Sequence, residues 1–206
     1  MKRLHRKDLF TWSEFVPRLN LDFNSFFWQR DGGNIAIDPL PLSAHDRAHV
    51  VELGGIAEIV ISNSMHVRGA QQIAAEFGSQ LIGPRGESEQ FPIRCSRFVG
   101  DHEEIVAGLQ VFEMAGSKTP GELALVLERT TLIAGDLIRA HRADALMLLH
   151  RDQGLKDEAR ALDSVQRLLD LGTIDTVLVG DGWHVFRHAA ELLQELVASG
   201  RAKAGK

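Results

Sequence analysis

One cysteine, Cys95, stands in 206 residues, so the chain can form neither an internal disulfide nor a cysteine-rich zinc site. A lone cysteine in such a chain reads as a small buried hydrophobe rather than a nucleophile. Long apolar runs are also missing: the longest are strand-length, well short of the roughly 18 residues a membrane span needs. The basic start "MKRLHRKDLF" is not followed by the apolar region of an export signal. The expectation is a cytoplasmic protein with no membrane partner. Positive charge is in deficit, 23 Lys and Arg against 28 Asp and Glu for a net −5, which argues against a phosphate-binding surface and a nucleic-acid partner. The basic ends "KRLHRK" and "RAKAGK" read as solvated tails. Nor is there a G-x-S-x-G elbow to activate Ser62, Ser64 or Ser117, so these read as turn and capping residues. "GDGWHV" begins like a phosphate loop but does not complete G-x-G-x-x-G and carries Asp181 where an anion would approach.

What is present is enough for a large core: 44% of the residues are hydrophobic, and the expectation is a single domain over 1–206. "LFTWSEF", "LDFNSFFWQR" and "NIAID" read as strands, the last two joined into an antiparallel hairpin by an Asp-Gly-Gly turn. Ser43 with Asp46 resembles a capping pair for a helix from Ala44 that Gly54 and Gly55 stop. "AEIVIS", a helix "VRGAQQIAAEF" ended by Gly78, and "QLIG" give a β-α-β order and hence a partly parallel layer. Residues 84–101 read as a loop with a short strand near "RFVG". Strands "LQVFEMA", "ELALVLE" and "TTLIAGD" follow, then an irregular stretch to Gly154, a helix over 155–171, the strand "DTVLVGD" and a helix over 185–198. Strands followed by helix, strand and helix thus occur once in each half.

Three patches resemble the metallo-β-lactamase superfamily over most of the chain, from about residue 34 to 196. "NIAIDPLPLS" is similar to the family's early strand ending in an Asp, here Asp38; "LQVFEMAGSKTPGELALVLERTTLIAGD" to its strand, Pro-Gly turn, strand and Gly-Asp signature; "TVLVGDGW" to its late strand before a His-Gly turn. The resemblance implies an α/β fold, a four-layer αβ/βα sandwich of two mixed β-sheets with outer helices, and metal ligands on loops at one sheet edge. It also implies a degenerate member. Where the family carries H-x-H-x-D-H, "SNSMHVRGA" holds Asn63, Met65, Val67 and Arg68, and His66 falls on a spacer position. The turn like H-T-P-G has Lys118 for its His, and "VGDGW" has Asp181 for its His. Only Asp136 stands where the family's bridging carboxylate stands.

A catalytic zinc needs three protein ligands and an open position. One matched carboxylate does not supply that, so neither zinc nor another cofactor is expected. Instead, the Lys118 ammonium would neutralise Asp136, with Arg68 and Arg139 as substitutes. The candidate site residues are therefore His66, Lys118, Asp136, Asp181 and His184. The alternative is a rearranged mononuclear site on His66, Asp136 and His184, holding zinc or another divalent metal whose bound water attacks an ester- or amide-like bond. The pairs His45 with His49 and His184 with His188 have i, i+4 spacing but lack the Glu of H-E-x-x-H and read as surface pairs. Three functions follow as expectations: non-hydrolytic binding of a small molecule or partner, hydrolysis at the rearranged site, or a homodimer built on exposed Trp12, Phe26, Phe27 and Trp28. Metal content separates the second from the others. Specificity would sit on the loops 84–101 and 141–154, which carry no readable code.

Overall fold

The computed structural model describes residues 1–204. The chain divides into two compact units, Met1–Val99 and the residues from Gly100 onward.

The first unit is a seven-stranded sheet in the order β1-β2-β3-β4-β5-β6-β7, formed by Lys2–Arg3, Leu9–Val16, Leu21–Trp28, Ile35–Ile37, Glu58–Val60, Gln80–Pro84 and Arg97–Val99. Its early strands run antiparallel, as hairpins require, whereas β4 to β7 are parallel and need crossovers. Two of these crossovers are the helices α1 (Ala44–Glu52) and α2 (Ala70–Phe77). Ser43 caps α1 by accepting from Asp46 N, and Gly78, at φ 71°, ends α2 in the left-handed conformation that glycine adopts without strain. The helix expected from Val67 starts only at Ala70. A one-turn 3-10 helix, Ser64–His66, intervenes, with Asn63 accepting from Met65 N, and Arg68 then takes a positive φ of 41°. That turn carries His66 inward, to 4% exposure.

Trp12, Phe26, Phe27 and Trp28 are not an exposed aromatic surface: they are 6%, 1%, 0% and 4% exposed. Phe27 packs edge-on against Phe10 and, with Trp12, joins the cluster that includes Ile59, Ile61 and Ile73. Burying each such ring is worth about 1.5–3 kcal/mol, so β2 and β3 commit their aromatics to the core. This removes the dimer surface expected from these four residues.

The second unit holds the five-stranded sheet β14-β11-β10-β9-β8 and a two-stranded ribbon, β12-β13. In chain order the strands are β8 (Glu104–Val106), β9 (Leu109–Glu113), β10 (Leu123–Leu127), β11 (Thr131–Ala134), β12 (Ile138–Arg142), β13 (Ala145–Leu148) and β14 (Thr176–Val179). The helices are α3 (Glu158–Leu169) and α4 (Ala189–Ala204). Every residue of β10, β11 and β14 is buried, which explains their unbroken apolar runs. Asp157 caps α3 by accepting from Arg160 N. Ala161, Val165 and Leu168 of α3 and Leu193 and Val197 of α4 enter one core cluster with these strands. The last helix starts at Ala189, not Val185, because Val185 is drawn into an antiparallel bridge with Val177. His184 and His188 therefore precede the helix and share no helix face. Among the described residues, no helix is long and apolar enough to cross a membrane.

Candidate functional site

In the first unit the chemistry gathers where β4 and β5 end side by side. Asp38 follows β4 with φ 47° and is 2% exposed. Its carboxylate accepts from Ser62 N at 2.7 Å, from Ser62 Oγ at 2.6 Å and from His66 Nδ1 at 2.8 Å. The other ring nitrogen, Nε2, lies 3.2 Å from Nη2 of Arg68. A guanidinium only donates, so a hydrogen bond at that contact needs Nε2 as its acceptor, an arrangement that puts the ring proton on Nδ1 toward Asp38. Arg68 is itself fixed, donating from Nη1 to Asn24 O at 2.7 Å and to Asp38 O at 3.3 Å. Burial pushes the Asp38 carboxyl up, but the His66 ring and its hydrogen bond, the Arg68 charge and the Ser62 hydroxyl outweigh it and hold the group below the usual 3.8.

This is not a serine-hydrolase triad. Ser62 Oγ lies 3.1 Å from His66 Nδ1, the same nitrogen that faces Asp38, so the ring cannot take the serine proton on one side while the carboxylate orients it from the other. Around the turn, Asn63 is fully buried while Met65 is 64% exposed. Glu87, absent from the sequence-derived candidates, is buried and accepts from Ser64 N at 2.9 Å through Oε2.

In the second unit, the parallel pairing of β11 with β14 sets Ala134 opposite Val179. Asp136 and Asp181, each two residues further on, are thus brought to one sheet edge. Arg139, on β12, joins them. Its Nη2 lies 2.5 Å from Asp136 Oδ1 and 3.1 Å from Asp181 Oδ2, Nε donates to Asp136 O at 2.9 Å, and Nη1 donates to Gln153 at 3.2 Å. The ion pair expected between Lys118 and Asp136 is present, with Nζ 2.7 Å from Oδ2. Both oxygens of Asp136 therefore carry a cation. Glu122, 1% exposed and also missed from sequence, ties the edge together: one oxygen accepts from Ser117 Oγ and the other from Leu137 N at 2.7 Å. His184 stands half-buried beyond Asp181, its ring edge-on to Phe186 with centroids 5.9 Å apart. Along the chain, His66 belongs to the first unit and Lys118, Asp136, Asp181 and His184 to the second.

Lys118 is one-fifth exposed while Asp136 is buried, and Arg139 stays on Asp136 when Lys118 is removed. Lys118→Ala is therefore expected to cost about 1–3 kcal/mol, between the values for exposed and fully buried pairs. Denaturation midpoints for Lys118→Ala, Asp136→Asn and the double variant check this, and strict additivity would show that the two groups do not interact.

The family model described as metallo-beta-lactamase superfamily matches residues 1–200. The chain belongs to the metallo-beta-lactamase superfamily. Solved structures agree in fold. The DIM-1 metallo-beta-lactamase is 15% identical with TM-score 0.74, over 96% of each chain. A metallo-beta-lactamase family protein from Thermus thermophilus is 19% identical with TM-score 0.69, over 95% of this chain and 80% of that one. FIM-1 from Pseudomonas aeruginosa, solved in its mono-zinc form, is 15% identical with TM-score 0.70, over 93% and 90%. No curated protein matches the sequence significantly. The metallo-β-lactamase fold, an α/β sandwich of mixed sheets and helices, is thus the fold of this chain.

Proposed function

We propose that this superfamily member has exchanged the divalent metals of the fold for its own side-chain cations and binds a small-molecule ligand without hydrolysing it. The observation that carries this reading is Asp136: the one carboxylate matching the family's bridging ligand is held by Lys118 at 2.7 Å and Arg139 at 2.5 Å. A zinc ion needs free lone pairs from carboxylate, imidazole or thiolate. Here the Asp136 oxygens face cations, the Nε2 lone pair of His66 faces Arg68, and the motif positions hold Asn63, Met65, Val67 and Arg68. This donor set does not fit a dinuclear zinc centre, because a divalent ion would have to expel two fixed monocations or lie against them. The same cations supply what a binding site for an anionic or polar ligand requires. They are held in position by their own ion pairs and hydrogen bonds.

Elemental analysis tests the reading. Protein purified without added metal, and again after zinc loading and dialysis, is expected to hold less than one equivalent of zinc, and to leave chromogenic β-lactam and ester substrates intact. One or more retained ions per chain, lost in His66→Ala or Asp136→Asn, would overturn it and restore the metal-dependent hydrolase.

A further inference from the structure

We propose a second binding site, for a small organic oxyanion, in the cavity of about 360 Å³ between the 115–120 turn and the start of α3. Lys118, Lys156, Arg160, Ser117 and Thr119 line it, with Glu113 and Asp157 as its acidic members. The cavity is built rather than incidental. Gly116, at φ 85°, brings the turn so close to α3 that an added Cβ would lie 2.2 Å from Asp157 O. Its carbonyl accepts from Lys156 N at 3.0 Å and Asp157 N at 3.1 Å, and Ser164 Oγ donates to Ala115 O at 3.3 Å. Both walls are thus fixed before any ligand arrives.

The charges point to an anion. Lys156 and Arg160 are exposed and form no ion pair among the described residues, so both cations are available to meet a ligand. Of the acids, Asp157 accepts from Arg160 N as the cap of α3, and the lining as a whole carries three cations against two carboxylates. Lys118 gives one bond to Asp136 and has two more ammonium donors. Thr119 Oγ1 is buried without a hydrogen-bond partner among the described residues, an uncommon state for a hydroxyl and one that a ligand oxygen would relieve. An Arg fork beside a lysine and a hydroxyl suits a phosphate or carboxylate oxygen pair. The cavity is larger than either group alone, so the oxyanion is expected to carry an organic substituent. Ser117 is tied to Glu122 and serves the wall.

The test is an NMR titration of the full chain with inorganic phosphate, phenyl phosphate and benzoate at constant ionic strength. Saturable shifts at residues 115–120 and 156–160 are expected, tighter for phenyl phosphate if the site takes phosphate monoesters and for benzoate if it takes carboxylates. Lys156→Ala with Arg160→Ala should weaken binding about ten-fold or more, while Arg142→Ala with Arg187→Ala, an equal change in net charge, should not. Thr119→Val should weaken binding several-fold at an unchanged or raised melting temperature, since the hydroxyl it removes serves no bond among the described residues. No saturable shift with any probe, or equal affinity in the Lys156/Arg160 variant, would overturn the site. Zinc content is independent of this result, so a metal found on Asp136 would overturn the preceding reading and leave this one standing.

Discussion

Replacing Arg139 by methionine is expected to destabilise the protein by about 3–5 kcal/mol, the range for removing one partner of a buried charge cluster. Arg139 is 7% exposed and bridges two buried carboxylates, Asp136 at 2.5 Å and Asp181 at 3.1 Å, while also donating to Asp136 O and Gln153. Methionine keeps much of the apolar stem, so lost packing is a small part of the effect. What remains is two carboxylates at one edge with Lys118 bonded to only one of them. Neutralising the other, in Arg139→Met with Asp181→Asn, should recover about 1–2 kcal/mol, because a buried amide costs less to leave poorly paired than a buried charge. Denaturant midpoints with unchanged slopes give these differences. A loss below about 1 kcal/mol for Arg139→Met would mean that something other than arginine neutralises the edge, and a bound metal would be the first candidate.

That arginine marks where local sequence pattern runs out. The strand signals around Asp136 and Asp181 are continuous apolar runs, and the family resemblance places both carboxylates at strand ends and Lys118 in the turn beside them. Arg139 is visible only as a substitute for Lys118, because β12 lacks clean alternation: its pairing with β13 shifts register between Arg139 and Arg142. Glu122 opens the run "ELALVLE" and looks like a polar strand start. Its burial depends on Ser117 and the Leu137 amide, which meet it only in the fold. His66 is hard to place for a different reason. Counted on the family's motif it falls on a spacer, but residues in a 3-10 turn advance by about 120° rather than about 100°, and the Ser64–His66 turn swings the ring onto Asp38. Tertiary hydrogen bonds settle what local pattern leaves open.

Asp38 carries the second large effect. Asp38→Ala is expected to cost about 3–5 kcal/mol, since it leaves the Ser62 amide, the Ser62 hydroxyl and the His66 Nδ1–H without their acceptor in a buried site. It also puts alanine at φ 47°, a region aspartate and asparagine tolerate better. Asp38→Asn separates these contributions. Its carbonyl can still accept from Ser62 N, but its amide hydrogens would face His66 Nδ1, which must then give up its proton. The ring moves to the Nε2–H tautomer, and that proton points at the Arg68 guanidinium 3.2 Å away. One substitution therefore breaks a bond on the far side of its own partner's ring. The expected loss for Asn is about 2–3 kcal/mol, with a tautomer exchange visible in the ¹⁵N shifts of His66. Acid supplies a further check on sign. The folded Asp38 pKa lies below 3.8, so its contribution is complete above the unfolded carboxylate range and is lost as the pH falls through the lower folded value. The part of the gap between wild type and Asp38→Asn that the carboxylate charge supplies should therefore shrink below about pH 4. A gap that widened in acid, or a His66 that kept its tautomer in the Asn variant, would show that Asp38 is not the group that sets the ring against Arg68.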